Sequence, residues 1–429
     1  MFDLKIANAT LPDGRTGMDI GIAGGRIAAL EPRLEGGAGH VIDVGGYLVT
    51  PPFVDVHFHM DATLSLGRPR LNQSGRLLEG IEIWGELKPQ LTQEAIVERA
   101  LRYCDLAVSQ GLLAIRSHVD ICDERLLGVE ALLEVKRRVA PYLELQLVAF
   151  PQDGLYRFPG ALDLLARALD MGVEVVGGIP HFERTMADGG RSVALLCELA
   201  AERGLLVDLH CDETDDPMSR HIETLAYETQ RLGLSGRVAG SHLTSMHSMD
   251  NYYVSKLLPL IAEAGVAAIA NPLINIGIQG RHDTYPKRRG MTRIPEMLEH
   301  GITCAFGHDC VMDPWYSLGQ ADMLEAAFMG LHVGQMTSRT AMRQCFAMVT
   351  TEPARIMHLD GYGLEAGCKA DLVLLQAADP IEALRMQANR LAVIKGGKVI
   401  ATNPKRETTL SLDGRPRTIN PASFAPRIE

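Results

Sequence analysis

The sequence has no apolar run close to the ~18 residues that a helix needs to cross a bilayer. Its first residues, MFDLKIANATLPDGRTG, contain no basic start followed by an apolar stretch, so they predict no secretory signal. These two absences favour a soluble protein that stays in the cytoplasm and has no membrane partner. With 46% hydrophobic residues, a chain of 429 residues can bury a core large enough for one barrel and a small additional domain.

Cysteine pairs and an excess of positive charge are also absent. The eight cysteines contain no CxxC spacing, which argues against a disulfide framework and against a Cys-rich zinc site, and fits a reducing compartment. The net charge of −11 argues against a nucleic acid as partner. A small molecule remains the expected binding partner.

The middle of the chain repeats one pattern, in which a short apolar run ends in a polar residue and a helix-like amphipathic stretch follows. Eight such runs over roughly 260 residues predict a (β/α)8 TIM barrel. A doubly wound open sheet is the alternative, but the sequence has no clear switch point or glycine-rich phosphate fingerprint. Barrel enzymes carry their chemistry at the carboxyl ends of the strands, so the polar residues there indicate catalysis. The runs are FVDVHFH (53–59), LLAIRSHVD (112–120), LQLVAFPQ (145–152), VEVVGGIPH (173–181), LLVDLHCDE (205–213), RVAGSHLTS (237–245), VAAIANPLI (266–274) and TCAFGHDC (303–310).

The two ends of the chain differ from its middle. Short β-like runs joined by glycine-rich turns, such as MDIGIAGGRIAAL and RLAVIKGGKVIAT, occur near both termini. We therefore expect a small, discontinuous β-sandwich domain formed by residues 1–50 and 360–429. The barrel domain would occupy residues 51–359.

Histidines and acids at the ends of several runs suggest a metal site. His57 and His59 lie two apart on a predicted strand, so both side chains leave the same face. Neutral imidazoles that project together suit a divalent metal, although a packed histidine pair accounts for this spacing equally well. Further candidates end other runs, namely His210, His242 and the pair His308 and Asp309. Random placement would not put these residues at the ends of several runs, so their positions favour a metal site.

Several motifs in order carry a family resemblance: PPFVDVHFHMD, AFPQDG, LHCDETDD, SHLTSMHS, NIGIQGRHDTYPKRRG and FGHDCVMDPWYSLG. Together they resemble the bacterial cytosine deaminases of the amidohydrolase superfamily, from about residue 45 into the C-terminal β-segment. The resemblance implies a (β/α)8 barrel, one divalent ion (Fe²⁺ or Zn²⁺) per chain, and hydrolytic loss of ammonia from a free pyrimidine base. It also implies a homo-oligomer.

The resemblance implies a role for each matching residue. Glu213 would be the proton shuttle, His242 would hydrogen-bond the attacking water, Gln152 would hold the carbonyl and ring-nitrogen edge of the base, and Trp315 would wall the ring. The implied metal ligands are His57, His59, His210 and Asp309, and Asp309 would also take part in proton transfer. Purely structural roles stay open for three of these residues, since Gln152 could cap a loop, Trp315 could be ordinary core, and Glu213 could pair with a surface arginine.

Three further features bear on the type of site. His118 also ends a strand but matches no ligand position, so a supporting hydrogen bond is the expected role. His181 and Glu183 form an HxE, but the PCxxC of cytidine-deaminase-type zinc enzymes is absent. The fourth run lacks the lysine that relatives carboxylate to bridge two metals, which favours one metal. A binuclear hydrolase of cyclic amides and an inactive barrel kept as a scaffold remain as alternatives.

The sequence departs from the resembled family at Cys310. The family has a second Asp there, close to carbon 5 of the bound ring. Cysteine is smaller than aspartate and far more weakly hydrated, so the change should open an apolar notch that accepts a methyl group. We therefore expect deamination of 5-methylcytosine to thymine, alongside cytosine to uracil. The alternatives are a plain deaminase of cytosine or an isoguanine-type base, with Cys310 merely tolerated, and a thiolate that touches the metal.

Overall fold

The computed structural model describes residues 1–421, so the last eight residues of the predicted β-domain lie outside the described part. A parallel sheet of eight strands forms the centre of the molecule, and its strands neighbour each other in chain order. The strands are β6 (Phe53–Phe58), β7 (Leu112–Asp120), β8 (Glu144–Phe150), β9 (Val175–Gly178), β10 (Leu206–Cys211), β11 (Val238–His242), β12 (Ala267–Ala270) and β13 (Cys304–Phe306). Each of the eight predicted runs coincides with one of these strands, and only β8 begins one residue before its run.

The first and last of these strands meet just beyond their carboxyl ends. Phe58 and Asp309 form a parallel bridge. The amide of Asp309 donates to the carbonyl of His57 at 2.8 Å, and the amide of His59 donates to the carbonyl of Asp309 at 3.0 Å. The sheet thereby curls into a barrel. The predicted TIM barrel is confirmed, and the open doubly wound sheet is wrong.

Helices surround the barrel and connect its strands. Two helices lie between β6 and β7, and a long loop joins β6 to the first of them. The helices are α1 (Leu77–Leu87), α2 (Gln93–Ser109), α3 (Leu127–Val139), α4 (Ala161–Asp170), α5 (Met186–Arg203), α6 (His221–Arg231), α7 (Asn251–Ala264), α8 (Pro272–Ile278), α9 (Ile294–Glu299), α10 (Met323–Val333), α11 (Arg339–Ala347), α12 (Thr351–Ile356) and α13 (Pro380–Met386), with short 3-10 helices at Lys88–Gln90, Pro180–Phe182 and Thr244–Ser248. No helix within residues 1–421 combines the length and apolar character that a membrane crossing requires.

Local sequence explains where these helices begin and end. The side chains of Thr92 and Thr185 accept hydrogen bonds from the amides of Ala95 and Asp188, which caps the first turns of α2 and α5. Gly204 ends α5 with a φ of 70°, a left-handed conformation that costs glycine little. The glycine stop signals of the sequence therefore have a physical basis.

A second layer lies beside the barrel and is built from both parts of the chain. One sheet contains β1 (Phe2–Ala9), β2 (Met18–Ala23), β3 (Arg26–Pro32) and β4 (Ala38–Asp43). The other joins β5 (Leu48–Thr50) to β14 (Leu372–Leu375), β15 (Arg390–Lys395) and β16 (Lys398–Thr402). The short strands β17 (Thr408–Thr409) and β18 (Thr418–Ile419) pair with each other.

The two four-stranded sheets share one apolar core. Ile6 and Ile20 of the first sheet pack in the same buried cluster as Val49, Leu372 and Ile394 of the second. The chain therefore has an additional β-domain with the layered packing of a sandwich. The C-terminal part also contributes helix α13, which was not predicted from the sequence. The exact domain bounds at residues 50 and 360 stay a prediction.

Helix α10 packs against strand β13 through a glycine. A Cβ atom built on Gly330 would lie 2.5 Å from Cζ of Phe306, a fully buried ring of β13. Gly330→Ala should lower the free energy of unfolding by about 1–3 kcal/mol, because the added methyl overpacks the core. Denaturant titration measures this change.

The control is Gly85→Ala in helix α1, where an added Cβ would meet no atom within 4 Å. This variant should raise the free energy of unfolding by ~0.5–1 kcal/mol, since alanine favours a helix over glycine. Equal effects of the two substitutions would contradict the packing described for Gly330.

Candidate active site

Four candidate ligands from three places in the barrel converge at the carboxyl ends of its strands. Nε2 of His59 lies 2.9 Å from Nε2 of His210, which ends strand β10. Oδ1 of Asp309 lies 3.6 Å from Nε2 of His57 and 3.5 Å from Nε2 of His59. The ring of Phe150 stacks on His210 with 4.0 Å between centroids, which holds that imidazole in place. Metal-binding chemistry is thus possible at this end of the barrel.

A second group of polar side chains adjoins the first through Asp309. Nδ1 of His242 lies 3.4 Å from Oε1 of Glu213, and Nε2 of the same ring lies 3.9 Å from Oδ2 of Asp309. His242 and Asp309 adopt left-handed backbone conformations, with φ of 72° and 70°. Such conformations are strained for residues other than glycine and cluster at functional sites. Here they aim both side chains into the same small space.

Burial controls the charge of these groups. Desolvation lowers the pKa of His59 to about 3, and lowers the pKa of His57, His210 and His242 well below the ordinary value. The imidazoles are therefore neutral at physiological pH, which is the form that binds metals. Desolvation also raises the pKa of Glu213 to about 8, so this carboxyl can carry a proton near neutrality.

The chemistry of the donor set fits one cation. Two neutral imidazoles whose Nε2 atoms lie 2.9 Å apart can share the N–H hydrogen of one ring or bind a common cation. Nε2 of His57 is also buried, with no hydrogen-bond partner within residues 1–421. A cation shared by these nitrogens and by Asp309 would satisfy all of them, and a set of three nitrogens and one oxygen suits Zn²⁺ or Fe²⁺.

The structure brings the other predicted residues to the same cavity. It is lined by His59, Leu77, Gln152, Ile179, His210, Glu213, His242, Ile274, Ile278, Asp309, Cys310 and Trp315. Every residue named as a site residue from the sequence lines it except His57, which lies fully buried behind the wall. The lining combines these polar groups with the apolar side chains of one leucine, three isoleucines and Trp315. Such a lining suits a small, flat, polar ring.

Trp315 packs closely against helix α1, because Gly80 has no side chain that would collide with the indole ring. A Cβ atom at Gly80 would lie 2.3 Å from Cδ1 of Trp315. Trp84, also on α1, lies beside Trp315 with 6.2 Å between ring centroids, and its indole N–H donates to Asp120 at 2.8 Å. The Trp315 ring is therefore fixed as a wall of the cavity.

Cys310 is buried and lines the cavity next to Asp309, and its Sγ lies 3.5 Å from Oδ1 of that residue. Burial, followed by the nearby carboxylates of Asp309 and Asp313, raises the pKa of the thiol well above its ordinary value. The groups of potential ligands that lie close together within residues 1–421 do not include Cys310, which disfavours its direct contact with a metal. Asp313 is itself held by the amides of Trp315 and Tyr316, each at 2.9 Å.

Four other residues singled out in the sequence lie outside the cavity lining, namely His118, His181, Glu183 and His308. His308 is buried, and its Nδ1 pairs with the carbonyl of Cys310 at 3.0 Å. Glu183 accepts from the amide of Leu155 at 2.6 Å and so supports the loop after β8. His118 packs against His57 with 4.2 Å between ring centroids. Its two ring nitrogens have no hydrogen-bond partner within residues 1–421, so the expected supporting hydrogen bond is wrong.

Residues 40–401 match the amidohydrolase family. The chain belongs to this family. It is a hydrolase that acts on C–N bonds.

Relatives of this amidohydrolase include deaminases. The crystal structure of 5-methylcytosine deaminase from Klebsiella pneumoniae, liganded with 5-fluorocytosine, is 40% identical with a TM-score of 0.92, and covers 95% of this chain and 99% of its own. N-isopropylammelide isopropyl amidohydrolase from Pseudomonas sp. (strain ADP) is 30% identical over 93% of this chain and 97% of its own. The structure of N-isopropylammelide isopropylaminohydrolase from Burkholderia multivorans is 27% identical, with a TM-score of 0.82 over 94% of this chain and 99% of its own.

The residues that support this amidohydrolase's polar cluster were not predicted from the sequence. Nδ2 of Asn275 lies 2.9 Å from Nδ1 of His242, and Asn271 approaches the same ring. Behind His57 lie Ser241 and Asp208. Asp208 could have been found, because it lies two residues before His210 on one strand and so faces the same way. The two asparagines follow β12 and carry no comparable signal.

Proposed function

We propose that this amidohydrolase removes the exocyclic amino group of a free pyrimidine base by hydrolysis. The substrates would be 5-methylcytosine, giving thymine, and cytosine, giving uracil. Water supplies the oxygen that replaces the amino group, which leaves as ammonia. The single observation that carries the proposal is Cys310 in the wall of a cavity that also contains Glu213, His242 and Asp309. The 40% identity to a 5-methylcytosine deaminase supports the same assignment.

One divalent ion, Zn²⁺ or Fe²⁺, would be held by His57, His59, His210 and Asp309. Such an ion, when bound, lowers the pKa of water towards neutrality and so supplies a nucleophile. The distances of 2.9–3.6 Å among the ligand atoms of these side chains support a single shared position. The short strand β9 is followed by Ile179 rather than by a lysine that could bridge two ions, which favours one ion over two.

Proton transfer would depend on Glu213. Because burial raises its pKa to about 8, Glu213 can donate a proton to the ring nitrogen near neutral pH. It could then take up a proton and deliver one to the departing amine. Nε2 of His242 lies 3.9 Å from Oδ2 of Asp309. These two side chains would hold the attacking water and receive its proton. An acid and a separate proton acceptor are thus available on one side of the cavity.

Binding of the base would use the remaining lining. Gln152 offers both a donor and an acceptor, and these complement the carbonyl and the ring nitrogen of a pyrimidine edge. The indole of Trp315 offers a flat apolar surface for the ring. Neither residue alone distinguishes cytosine from 5-methylcytosine, so the preference between them would rest on Cys310.

The side chain of Cys310 would lie near carbon 5 of the base. A small neutral thiol leaves room for a methyl group and loses little hydration when the methyl covers it. Burial of one methyl group contributes ~0.8 kcal/mol. A carboxylate at the same position would be larger and would lose hydration, so it would disfavour the methylated base.

Three alternatives compete with this proposal. The relatives that act on N-isopropylammelide favour a test of that compound. A hydrolase of cyclic amides with two metal ions is disfavoured by the absence of the bridging lysine. An inactive scaffold is disfavoured because all four candidate ligands are present. Measurements of metal content and of ammonia release separate these functions.

The metal content tests the ligand assignment. Elemental analysis should give one Zn or Fe per chain. His59→Asn should lose this metal and the activity together, because one of four ligands is removed. The control is His300→Asn, at an exposed position outside the cavity lining, and it should keep both the metal and the activity. Two metal ions per native chain, or full activity without metal, would contradict the assignment.

The role of Glu213 is tested by Glu213→Gln. Turnover should fall by ~10²–10⁴-fold, because the amide cannot transfer the protons. Metal content should remain at the native value, since Glu213 is not among the ligands. The surface variant Glu202→Gln serves as the control and should keep native turnover. If Glu213→Gln kept nearly full turnover, another residue would have to be the shuttle.

The substrate is tested by ammonia release from cytosine, 5-methylcytosine, isoguanine and N-isopropylammelide. Both pyrimidines should be turned over. Cys310→Asp should lower kcat/KM for 5-methylcytosine relative to cytosine by ~10–200-fold, the range typical of one methylene.

Two matched variants separate size from charge at this position. Cys310→Ser is slightly smaller than the native residue and uncharged, so it should still accept 5-methylcytosine, whereas Cys310→Asn has the size of aspartate without its charge. No turnover of 5-methylcytosine by the native enzyme would overturn the proposed substrate. An unchanged ratio of the two kcat/KM values in Cys310→Asp would overturn the proposed role of Cys310.

A further inference from the structure

A chain of buried hydrogen bonds leads away from His57 into the barrel interior. Nδ1 of His57 lies 2.9 Å from Oγ of Ser241. Oγ of Ser241 in turn donates to Oδ1 of Asp208 at 2.6 Å, and Nη1 of Arg116 donates to Oδ2 of Asp208 at 3.0 Å. The side chains of all four residues have at most 1% of their surface exposed. These hydrogen bonds therefore connect one candidate ligand to a buried guanidinium through two intervening side chains.

The donors and acceptors of this chain can be arranged in one direction only. An ionised Asp208 accepts hydrogen bonds and donates none, so the hydroxyl hydrogen of Ser241 must point towards Asp208. Oγ of Ser241 is then the acceptor for His57, whose Nδ1 must carry the hydrogen. The other nitrogen, Nε2, is left with its lone pair, and it is the nitrogen that faces Asp309.

We propose that Arg116, Asp208 and Ser241 are positioning residues for the metal site. They hold His57 in the tautomer whose Nε2 can bind a cation. Direct contact between a carboxylate and a ligand histidine is a common way to achieve this. Here the serine hydroxyl transmits the same constraint over a longer distance. The inference rests on the proposed metal site and adds three residues that touch neither metal nor substrate.

Arg116 fixes the orientation of Asp208. Its guanidinium also donates to Oε1 of Gln146 at 2.7 Å and to the carbonyl of Ile356 at 3.0 Å, so it cannot turn away. Any residue at position 208 must therefore present an acceptor to Arg116. This constraint predicts what an amide would do at that position.

Asp208→Asn should reverse the hydrogen bonds while hardly changing the shape of the side chain. The amide oxygen would turn to Arg116, and the amide N–H would point at Ser241. Oγ of Ser241 would accept that hydrogen and donate its own to Nδ1 of His57. His57 would then carry its hydrogen on Nε2, where a cation could not bind.

The experiment measures metal affinity directly. Metal-free native protein, Ser241→Ala and Asp208→Asn are titrated with Co²⁺ in competition with a chelator, and the visible spectrum of each complex is recorded. The control is Ser192→Ala, a buried serine of helix α5 that bonds to the carbonyl of Gly189. Thermal unfolding of each metal-free protein checks that the fold persists.

Ser241→Ala and Asp208→Asn should weaken Co²⁺ binding by ~10–100-fold, the usual effect of losing a partner of a ligand histidine. Asp208→Asn should bind Co²⁺ at least as weakly as Ser241→Ala does. The spectra of both complexes should differ from the native spectrum. Ser192→Ala should match the native protein. If Asp208→Asn does not fold, because it leaves Arg116 with an uncompensated buried charge, the comparison of Ser241→Ala with Ser192→Ala decides.

Failure of this inference can be distinguished from failure of the proposed function. Absence of Co²⁺ binding by the native protein would overturn the metal site itself. Native binding with the same affinity and spectrum in Ser241→Ala as in Ser192→Ala would leave the metal site intact and overturn the positioning role.

Discussion

The pairing of the backbone of Asp309 with His57 and His59 is the contact on which the rest of the molecule depends. It joins the last barrel strand to the first, and it occurs at residues whose side chains belong to the polar cluster. Closure of the barrel and assembly of the candidate site are therefore one event. Asp55 strengthens the joint, since its carboxylate accepts from the amide of His308 at 3.0 Å. A barrel that failed to close would also lack the cluster.

The same contact buries several ionisable groups close together. Four imidazoles and the carboxyls of Glu213 and Asp309 are buried within a few ångströms of one another. Burial drives the imidazoles to the neutral form and raises the pKa of both acids, which favours their protonated form. A cation would offset the loss of hydration, as it is attracted to the lone pairs and the carboxylate. Metal binding and the stability of this end of the barrel are thus coupled.

Strand periodicity and motif resemblance predicted much of this arrangement. Apolar runs that end in polar residues located all eight barrel strands, because a parallel barrel buries its strands on both sides and exposes their carboxyl ends. The motifs identified the polar residues and the tryptophan that line the cavity, but not its leucine and isoleucine side chains. They could not identify Asn275 of helix α8 or Ser241 of strand β11, which support the cluster but are ordinary polar residues in the sequence. Helix α13 was also missed, since its seven residues lie among β-like runs.

The sequence by itself determined the barrel, the family, the identity of the side chains at the strand ends and the neutral thiol at Cys310. These follow from local sequence patterns, which recur at each strand and do not depend on residues far away in the chain. Tertiary structure alone decided which atoms meet. His242 follows Ser241, which already points into the barrel, so regular alternation would turn His242 away. The left-handed backbone at His242 brings its ring to Asp309 instead. Long-range packing imposes that conformation, because no local preference of histidine would stabilise it.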